Sequence, residues 1–198
     1  MTRPLILASG SAARADLLRQ AGVPFTVEAA SVDEASVKAS LSAEGAPPRD
    51  VADALAELKA RRVAGRRPEA LVLGADQVLV CEGRMLDKPA DPAEARDQLV
   101  FLRGKTHELL SASVVFEDGA PVWRHVGRAQ LVMRPFSDAF LDAYLSGDPT
   151  VFDCVGAYRL EAAGSQLFSR VQGDYFTVLG LPLLEVLGFL RTRGVCVE

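Results

Sequence analysis

The feature that most constrains the fold is a run of apolar and small residues over positions 71–75, which ends in the acid Asp76. A run without polar alternation is typical of a strand covered on both faces, as in the centre of an α/β sheet. Short apolar runs alternate with segments of helical periodicity in the first half of the chain, and two long strand-like segments follow. This order predicts an α/β fold at the border with α+β, built as a mixed β-sheet with flanking helices.

Hydrophobic periodicity and capping signals place the individual elements. Helices are predicted over residues 12–20, 50–63, from 91 onward, 137–145 and 181–193. Strands are predicted over residues 5–8, 25–29, 71–76, 78–80, 109–116 and 122–133. The Ser- and Ala-rich stretch 36–48 is consistent with a mobile segment. No linker is long enough to separate independent domains, so a single domain over residues 1–198 is predicted.

Composition excludes several classes of protein. Of the 198 residues, 49% are hydrophobic and 24% charged, which is ordinary globular usage and excludes a disordered chain or a long coiled coil. The net charge of −4 disfavours a general nucleic-acid binder, although a local basic pocket for a phosphorylated small molecule stays open. Three cysteines without metal-ligand spacing, and no apolar run of signal-peptide or membrane length, predict a cytoplasmic protein without a membrane partner.

A small polar loop, Ser9-Gly10-Ser11, separates the first predicted strand from the first predicted helix. Free backbone N–H groups and the positive end of the helix dipole suit such a position to an anion. Arg14, one turn into the helix, could fold back toward the same anion. The alternative is a plain turn with Ser11 as the helix N-cap.

Two acidic positions follow predicted strands. The adjacent carboxylates of Asp33 and Glu34 suit a divalent cation, or they are two solvated acids in a loop. Asp76 ends the apolar run, where an unpaired acid is costly to bury and where ligands of open α/β sheets bind. Asp76 is therefore a candidate metal ligand or general base, with a structural helix N-cap as the alternative.

Lysine is scarce, because arginine supplies most of the positive charge. In the helix over residues 50–63, the spacing of Val51, Leu55, Leu58 and Arg62 predicts one face, and Lys59 is predicted on the opposite, polar face. Lys88 follows a hairpin turn. Both are compatible with phosphate binding, or they are solvated surface groups. Cys154 has no histidine nearby in sequence, so nucleophilic Cys–His catalysis is poorly supported and structural roles are predicted for Cys154, His107 and His125.

Taken together, these motifs resemble the Maf family of nucleoside triphosphate pyrophosphatases. The resemblance covers nearly the whole chain in order, through residues 5–11, 14, 17–18, 22, 25, 33–34, 55–60, 74–77, 88–89, 102–107, 153–158, 173–175 and 180–183. It implies a Mg²⁺- or Mn²⁺-dependent enzyme that cleaves a nucleoside triphosphate between the α- and β-phosphates, giving a monophosphate and pyrophosphate. It also implies a curved mixed sheet with a cleft between two lobes, similar to the inosine-triphosphatase fold, and usually a homodimer.

The resemblance also implies roles for the residues that match it. A triphosphate carries about four negative charges, so its site needs cations and N–H donors. Arg14, Lys59 and Lys88 match the cationic positions, and Ser9 and Ser11 match the loop that contacts the substrate. The two lysines are expected to act in catalysis.

The acids complete the expected site. Glu34, helped by Asp33 and Asp76, is expected to hold the metal. Asp76 is also the candidate base that orients the attacking water, and the two roles compete for one residue.

Departures from the family pattern concern the substrate. Ala13 stands where the family has an arginine or an aromatic residue, which removes a stacking surface for the base. Gln77, Cys154 and Glu161 are similar to the branch that acts on 7-methyl-GTP rather than to the dTTP/UTP branch. A preference for 7-methyl-GTP or another modified nucleotide, in a house-cleaning role, is therefore expected. The alternatives are a dTTP/UTP pyrophosphatase and a nucleotide-binding regulator of septum formation without turnover.

Overall fold

The computed structural model describes residues 3–147 and 149–197. The strands are β1 (Leu5–Leu7), β2 (Thr26–Val27), β3 (Leu71–Cys81), β4 (Arg84–Leu86), β5 (Thr106–Glu117), β6 (Ala120–Met133) and β7 (Phe168–Gln172). The α-helices are α1 (Ala12–Gln20), α2 (Glu34–Ala43), α3 (Pro48–Ala64), α4 (Pro92–Leu102), α5 (Asp138–Gly147), α6 (Tyr175–Val178) and α7 (Leu183–Thr192). Short 3₁₀ helices cover Pro149–Asp153, Val155–Ala157 and Ala163–Leu167.

Within these ranges the seven strands form one mixed sheet in the order β2-β1-β3-β5-β6-β7, with β4 paired to β3. The pairs β1–β2 and β1–β3 are parallel, whereas β3–β5, β5–β6 and β6–β7 are antiparallel. The predicted mixed α/β sheet with flanking helices is confirmed. The division into two lobes and the extent of the domain stay predictions.

Strand β3 is the central strand that the apolar run predicts. Leu73 and Ala75 pack with α1 and α7 on one face of the sheet, and Val72 and Val78 pack with α3 on the other. Burial on both faces explains the absence of polar alternation. The strand continues to Cys81, so Asp76 lies inside it, and the alternative that Asp76 caps a helix is wrong.

Helix α3 buries Val51 and Leu55 as predicted, but the rest of its buried face is rotated away from Leu58. Its buried residues include the small Ala52, Ala56 and Ala60, and they also include Lys59, which is only 7% exposed. Leu58, assigned to the apolar face from its spacing, is only half-buried. Alanines form the contact face because they allow the helix to approach the sheet closely, and this approach carries Lys59 inward with them.

The stretch predicted to be mobile is largely helical, because α2 covers residues 34–43. Asp33 caps this helix, since its side chain accepts a hydrogen bond from the backbone N–H of Ser36. Val37 and Leu41, one turn apart, pack against the apolar cluster under α3. The cap and this i, i+4 contact order a segment whose composition alone does not mark a helix.

The remaining elements agree in type and differ at their ends. The predicted strand over residues 25–29 reduces to two residues, and α7 begins at Leu183 with Pro182 as its N-cap. The short α6 and β7 carried no sequence prediction. Among the described residues, the helices are all too short or too polar to cross a membrane.

Candidate active site

A cavity of about 590 Å³ opens beside β3. Its walls come from the loop before α1, the N-terminal half of α2, Lys59 of α3, residues 76–77 of β3, the loop at 87–88, residues 153–161 and residues 178–180. Five basic side chains line it: Arg14, Lys38, Lys59, Lys88 and Arg159. Five acidic side chains also line it: Glu34, Asp76, Asp87, Asp153 and Glu161.

Three of these charges form one cluster. The Lys59 Nζ lies 2.6 Å from the Asp76 Oδ1 and 2.8 Å from the Glu34 Oε1. The side chains of Lys59 and Asp76 are only 9% and 6% exposed, whereas that of Glu34 is 43% exposed. One ammonium group therefore joins a buried carboxylate on the sheet to a solvent-accessible carboxylate on α2.

A glycine sets this geometry. Side chains of β3 alternate between faces, so Gly74 and Asp76 lie on the face that α3 covers. A Cβ on Gly74 would lie 2.2 Å from the backbone oxygen of Ala56 and 2.7 Å from the backbone nitrogen of Ala60. The missing side chain is what lets α3 lie close enough for Lys59 to reach Asp76.

The second oxygen of Asp76 is uncommitted. Oδ2 is buried and has no hydrogen-bond partner among the described residues. An unpaired buried carboxylate oxygen is costly, so a bound group that offers it a proton or a positive charge is favoured there.

The loop Ser9-Gly10-Ser11 leaves the sheet beside Asp76. The backbone N–H of Ala8, directly after the end of β1, donates to the carbonyl of Leu73 in β3. The Ser11 hydroxyl accepts from the backbone N–H of Arg14, so the expected N-cap is present. Ser9 is buried and Ser11 is half-buried, and both line the cavity.

Arg14 holds two walls of the cavity together. Its Nε donates to the Gly180 carbonyl at 2.7 Å, and its Nη1 donates to the Ser9 hydroxyl at 3.0 Å. Burial lowers the pKa of the guanidinium from its ordinary value, and the negative charges of Asp76 and Glu34 oppose that change. Arg14 therefore supplies a desolvated positive charge that is already oriented before a ligand binds.

Gln77 is engaged with the protein. Its Nε2 lies within 3.1 Å of the Ser111 hydroxyl and of the carbonyls of Thr177 and Val178. The side-chain amide thus ties α6 to β3 and β5 at the edge of the cavity. The amide oxygen of Gln77 is the atom that remains for a hydrogen bond to a bound ligand.

Of the other residues predicted for the site, Lys88 and Ala13 line the cavity and Asp33 does not. Lys88 is exposed in the lining, and Ala13 is half-buried in the lining. Asp33 does not line the cavity, and both of its oxygens accept from Ser36, at 3.1 Å and 2.7 Å. The structure therefore brings Glu34 and Asp76 together and leaves Asp33 as a helix cap.

The segment 153–161 forms the opposite wall. The Arg159 Nε donates to the Glu161 Oε1 at 2.9 Å, which fixes this carboxylate at the cavity surface. Burial, together with the charge of Glu161, raises the pKa of the Cys154 thiol. A neutral thiol is a poor nucleophile, in agreement with the structural role predicted for Cys154.

Tyr158 anchors this wall to the sheet. Its hydroxyl lies 2.8 Å from the Nε2 of His107, which is buried on β5, and Phe168 packs edge-on against its ring. Gly156 has a φ of +77°, and a Cβ there would lie 2.9 Å from the Tyr158 ring. The turn therefore requires glycine for the tyrosine to lie against it.

The stability of the protein is expected to fall in mild acid through His107. Burial lowers the pKa of its imidazole from 6.5 to about 4. The imidazole therefore binds a proton less tightly in the folded protein than in the unfolded chain. The contribution of neutral His107 to the free energy of unfolding is complete above pH 6.5 and is lost as the pH falls toward 4. The loss reaches about 3 kcal/mol. Urea unfolding of the wild type and His107→Gln between pH 8 and 4 measures it, and parallel curves for the two proteins would contradict it.

Sequence reasoning did not single out Lys38, Asp87 and Arg159. The scarcity of lysine was a usable signal, because three of the four lysines of the chain line the cavity. Arg159 offered no comparable signal among 18 arginines, since only the fold shows that it lines the cavity.

The carboxylates at the cavity fit a hard divalent cation only if water and substrate supply its remaining ligands. Among the described residues, no group of three or more His, Cys, Asp or Glu side chains lies close enough to enclose a metal. Glu34 and the uncommitted oxygen of Asp76 supply two carboxylates in one cavity. Mg²⁺ is commonly held by one or two carboxylates, with waters and substrate phosphates completing its shell.

Comparison with known proteins finds relatives over nearly the whole chain. The family described as Maf-like protein matches residues 4–193. A nucleoside triphosphate pyrophosphatase of Ruegeria pomeroyi is 56% identical over 196 residues, which is 98% of both chains. Proteins of the same name from Paramagnetospirillum magneticum and Caulobacter vibrioides are 56% and 52% identical over 96% of this chain, and 98% and 96% of their own lengths are covered.

Proposed function

We propose, from the premise that this chain belongs to the Maf family and is a nucleoside triphosphate pyrophosphatase, that the cavity beside β3 is where it cleaves the α–β phosphoanhydride. The observation that carries the assignment is the Lys59–Asp76–Glu34 cluster, which lies in the same cavity as the loop before α1. Cations and N–H donors suit the polyphosphate, and a carboxylate with a free oxygen suits the attacking water.

The reaction follows from these groups. Water attacks the α-phosphorus, the bond from that phosphorus to the bridging oxygen breaks, and pyrophosphate leaves. Asp76 orients the water and takes its proton through Oδ2, the oxygen not bonded to Lys59. Arg14, Lys59 and Lys88 stabilise the charge that develops on the phosphate oxygens.

We also propose that Glu34 holds a Mg²⁺ or Mn²⁺ ion with the substrate. Asp76 is the second candidate ligand, and its free oxygen Oδ2 serves either the ion or the attacking water. Such an ion would supply charge neutralisation on the phosphates when bound. Asp33 is left out of this set because Ser36 occupies its oxygens. A homodimer in the cytoplasm remains the expectation that accompanies this function.

Glu161 supports a preference for 7-methyl-GTP over dTTP and UTP. Its carboxylate is held at the cavity by Arg159, and a carboxylate can accept the N1–H and N2–H₂ donors of guanine. Uracil and thymine present two carbonyl oxygens around one N–H. One of these carbonyl oxygens would face a carboxylate oxygen of Glu161, and neither can donate a hydrogen bond. Glu161 is exposed to solvent before a ligand binds, so the full penalty for an unpaired buried group does not apply, and we expect a preference of roughly 10-fold in kcat/KM.

Pyrophosphate release across canonical and modified triphosphates, with Mg²⁺ or Mn²⁺ and with EDTA, tests the proposal. We expect metal-dependent turnover, with 7-methyl-GTP favoured over dTTP and UTP. Glu161→Gln should reduce that preference because an amide offers one acceptor and one donor. Glu108→Gln is the matched control, since Glu108 also pairs with an arginine, Arg128, and lies outside the cavity lining.

The outcomes separate the parts of the proposal. Best turnover of dTTP or UTP would overturn the base preference and leave the reaction intact. Undiminished turnover in EDTA would overturn the proposed requirement for a divalent metal ion. Nucleotide binding without turnover of any triphosphate would overturn the reaction itself.

A further inference from the structure

Lys38 lies one turn after Glu34 on α2 and lines the same cavity. Its Nζ lies 2.5 Å from the Asp87 Oδ1, and Asp87 also lines the cavity, directly before Lys88. This ion pair joins α2 to the loop at 87–88. It lies outside the Lys59–Asp76–Glu34 cluster, and the reaction described above does not use it.

The lysine is held inward, although its helix lies at the surface. No residue of α2 is fully buried, yet the Lys38 side chain is only 16% exposed. The carboxylate that pairs with it is 68% exposed. The ammonium group is thus partly desolvated at the cavity, while its counter-charge remains in water.

An ion pair of this kind is weak and exchangeable. A pair with a solvent-exposed carboxylate is typically worth less than about 1 kcal/mol. A polyphosphate with about four charges offers Lys38 several charged oxygens in place of one, and hydrogen bonds between charged groups are the stronger class. Exchange of Asp87 for a phosphate oxygen is therefore favourable.

We propose that Lys38 is an additional substrate-binding residue for the polyphosphate group, and that Asp87 holds its ammonium at the cavity until phosphate replaces it. This inference rests on the proposed function, because the ligand it invokes is the polyphosphate of that reaction. It adds a binding cation on α2 and gives Asp87 the role of a competing counter-ion.

The competing explanation is that the Lys38–Asp87 pair only fixes α2 to the loop at 87–88. The two explanations predict opposite signs for one variant. If the pair is only structural, Lys38→Met and Asp87→Asn both break it and should weaken ligand binding alike. If Lys38 binds phosphate, Asp87→Asn removes a competitor and should strengthen binding.

Calorimetric titration with inorganic pyrophosphate, alongside KM and kcat for triphosphate hydrolysis, tests the proposal. Lys38→Met should weaken pyrophosphate binding and raise KM by roughly 10-fold, with little change in kcat. Asp87→Asn should bind pyrophosphate up to about fivefold more tightly. Lys38→Arg, which keeps the charge, should restore most of the affinity.

Lys105→Met is the matched control, because Lys105 is the lysine outside the cavity lining and it also pairs with an acid, Glu82. It should bind pyrophosphate as the wild type does. Weakened binding in Asp87→Asn, or unchanged binding in Lys38→Met, would overturn the role of Lys38 while wild-type turnover still supports the reaction. A wild type that releases no pyrophosphate would overturn the proposed function instead.

Discussion

Replacing Asp76 by asparagine is expected to lower kcat by about 100-fold or more and to change KM little. Asparagine keeps the shape of the side chain but cannot take a proton from water. Lys59 keeps Glu34 as a partner at 2.8 Å, so the cavity should retain its form. Steady-state pyrophosphate release with the best substrate of the panel measures the effect.

Asp142→Asn is the control for this variant. Asp142 is a salt-bridged aspartate on α5 that pairs with Arg96 and does not line the cavity. It should retain full activity. Wild-type kcat in Asp76→Asn would remove Asp76 from the chemistry, and a rise in KM at constant kcat would make it a binding group only.

Replacing Lys59 by methionine is expected to lower the free energy of unfolding by about 3–5 kcal/mol, and to abolish most of the activity. Methionine fills a similar volume but leaves the Asp76 carboxylate buried without its cation. Glu34 can turn to water because its side chain is 43% exposed, whereas Asp76, at 6%, cannot. Urea denaturation followed by circular dichroism measures the loss.

Two further variants isolate the charge effect. Lys105→Met removes a lysine that is 32% exposed and should cost less than about 1 kcal/mol. The double variant Lys59→Met/Asp76→Asn should recover much of the stability, because the buried charge is gone. If Lys59→Met costs no more than Lys105→Met, Lys59 does not stabilise Asp76 as described.

The sequence predicted the central strand, the loop before α1 and the acid that ends the apolar run. These depend on local patterns: burial on both faces removes polar alternation in β3, and Ser11 caps the helix that follows. The sequence predicted only part of the buried face of α3, Val51 and Leu55, because the spacing of large apolar residues also pointed to Leu58. Close packing on the glycine of β3 instead selected the alanines and, with them, Lys59.

The sequence also did not predict that residues 34–43 form the helix α2. Its serines and alanines carry little helical periodicity, and Val37 and Leu41 are held by packing against residues distant in the chain. Only that docking gives Glu34 and Lys38 their places in the cavity. Asp33, which carries a carboxylate like its neighbour Glu34, caps the helix instead.

The sequence by itself determined the mixed sheet, the family and most of the charged residues of the candidate site. Hydrophobic patterning and the order of motifs are properties of the chain and can be read without the fold. The tertiary structure alone decided which charges meet. Lys59 and Asp76 are 17 residues apart, Lys38 and Asp87 are 49 apart, and each pair depends on the packing of whole elements. Pairings of this kind are set by how closely helix and strand can approach, which no local pattern records.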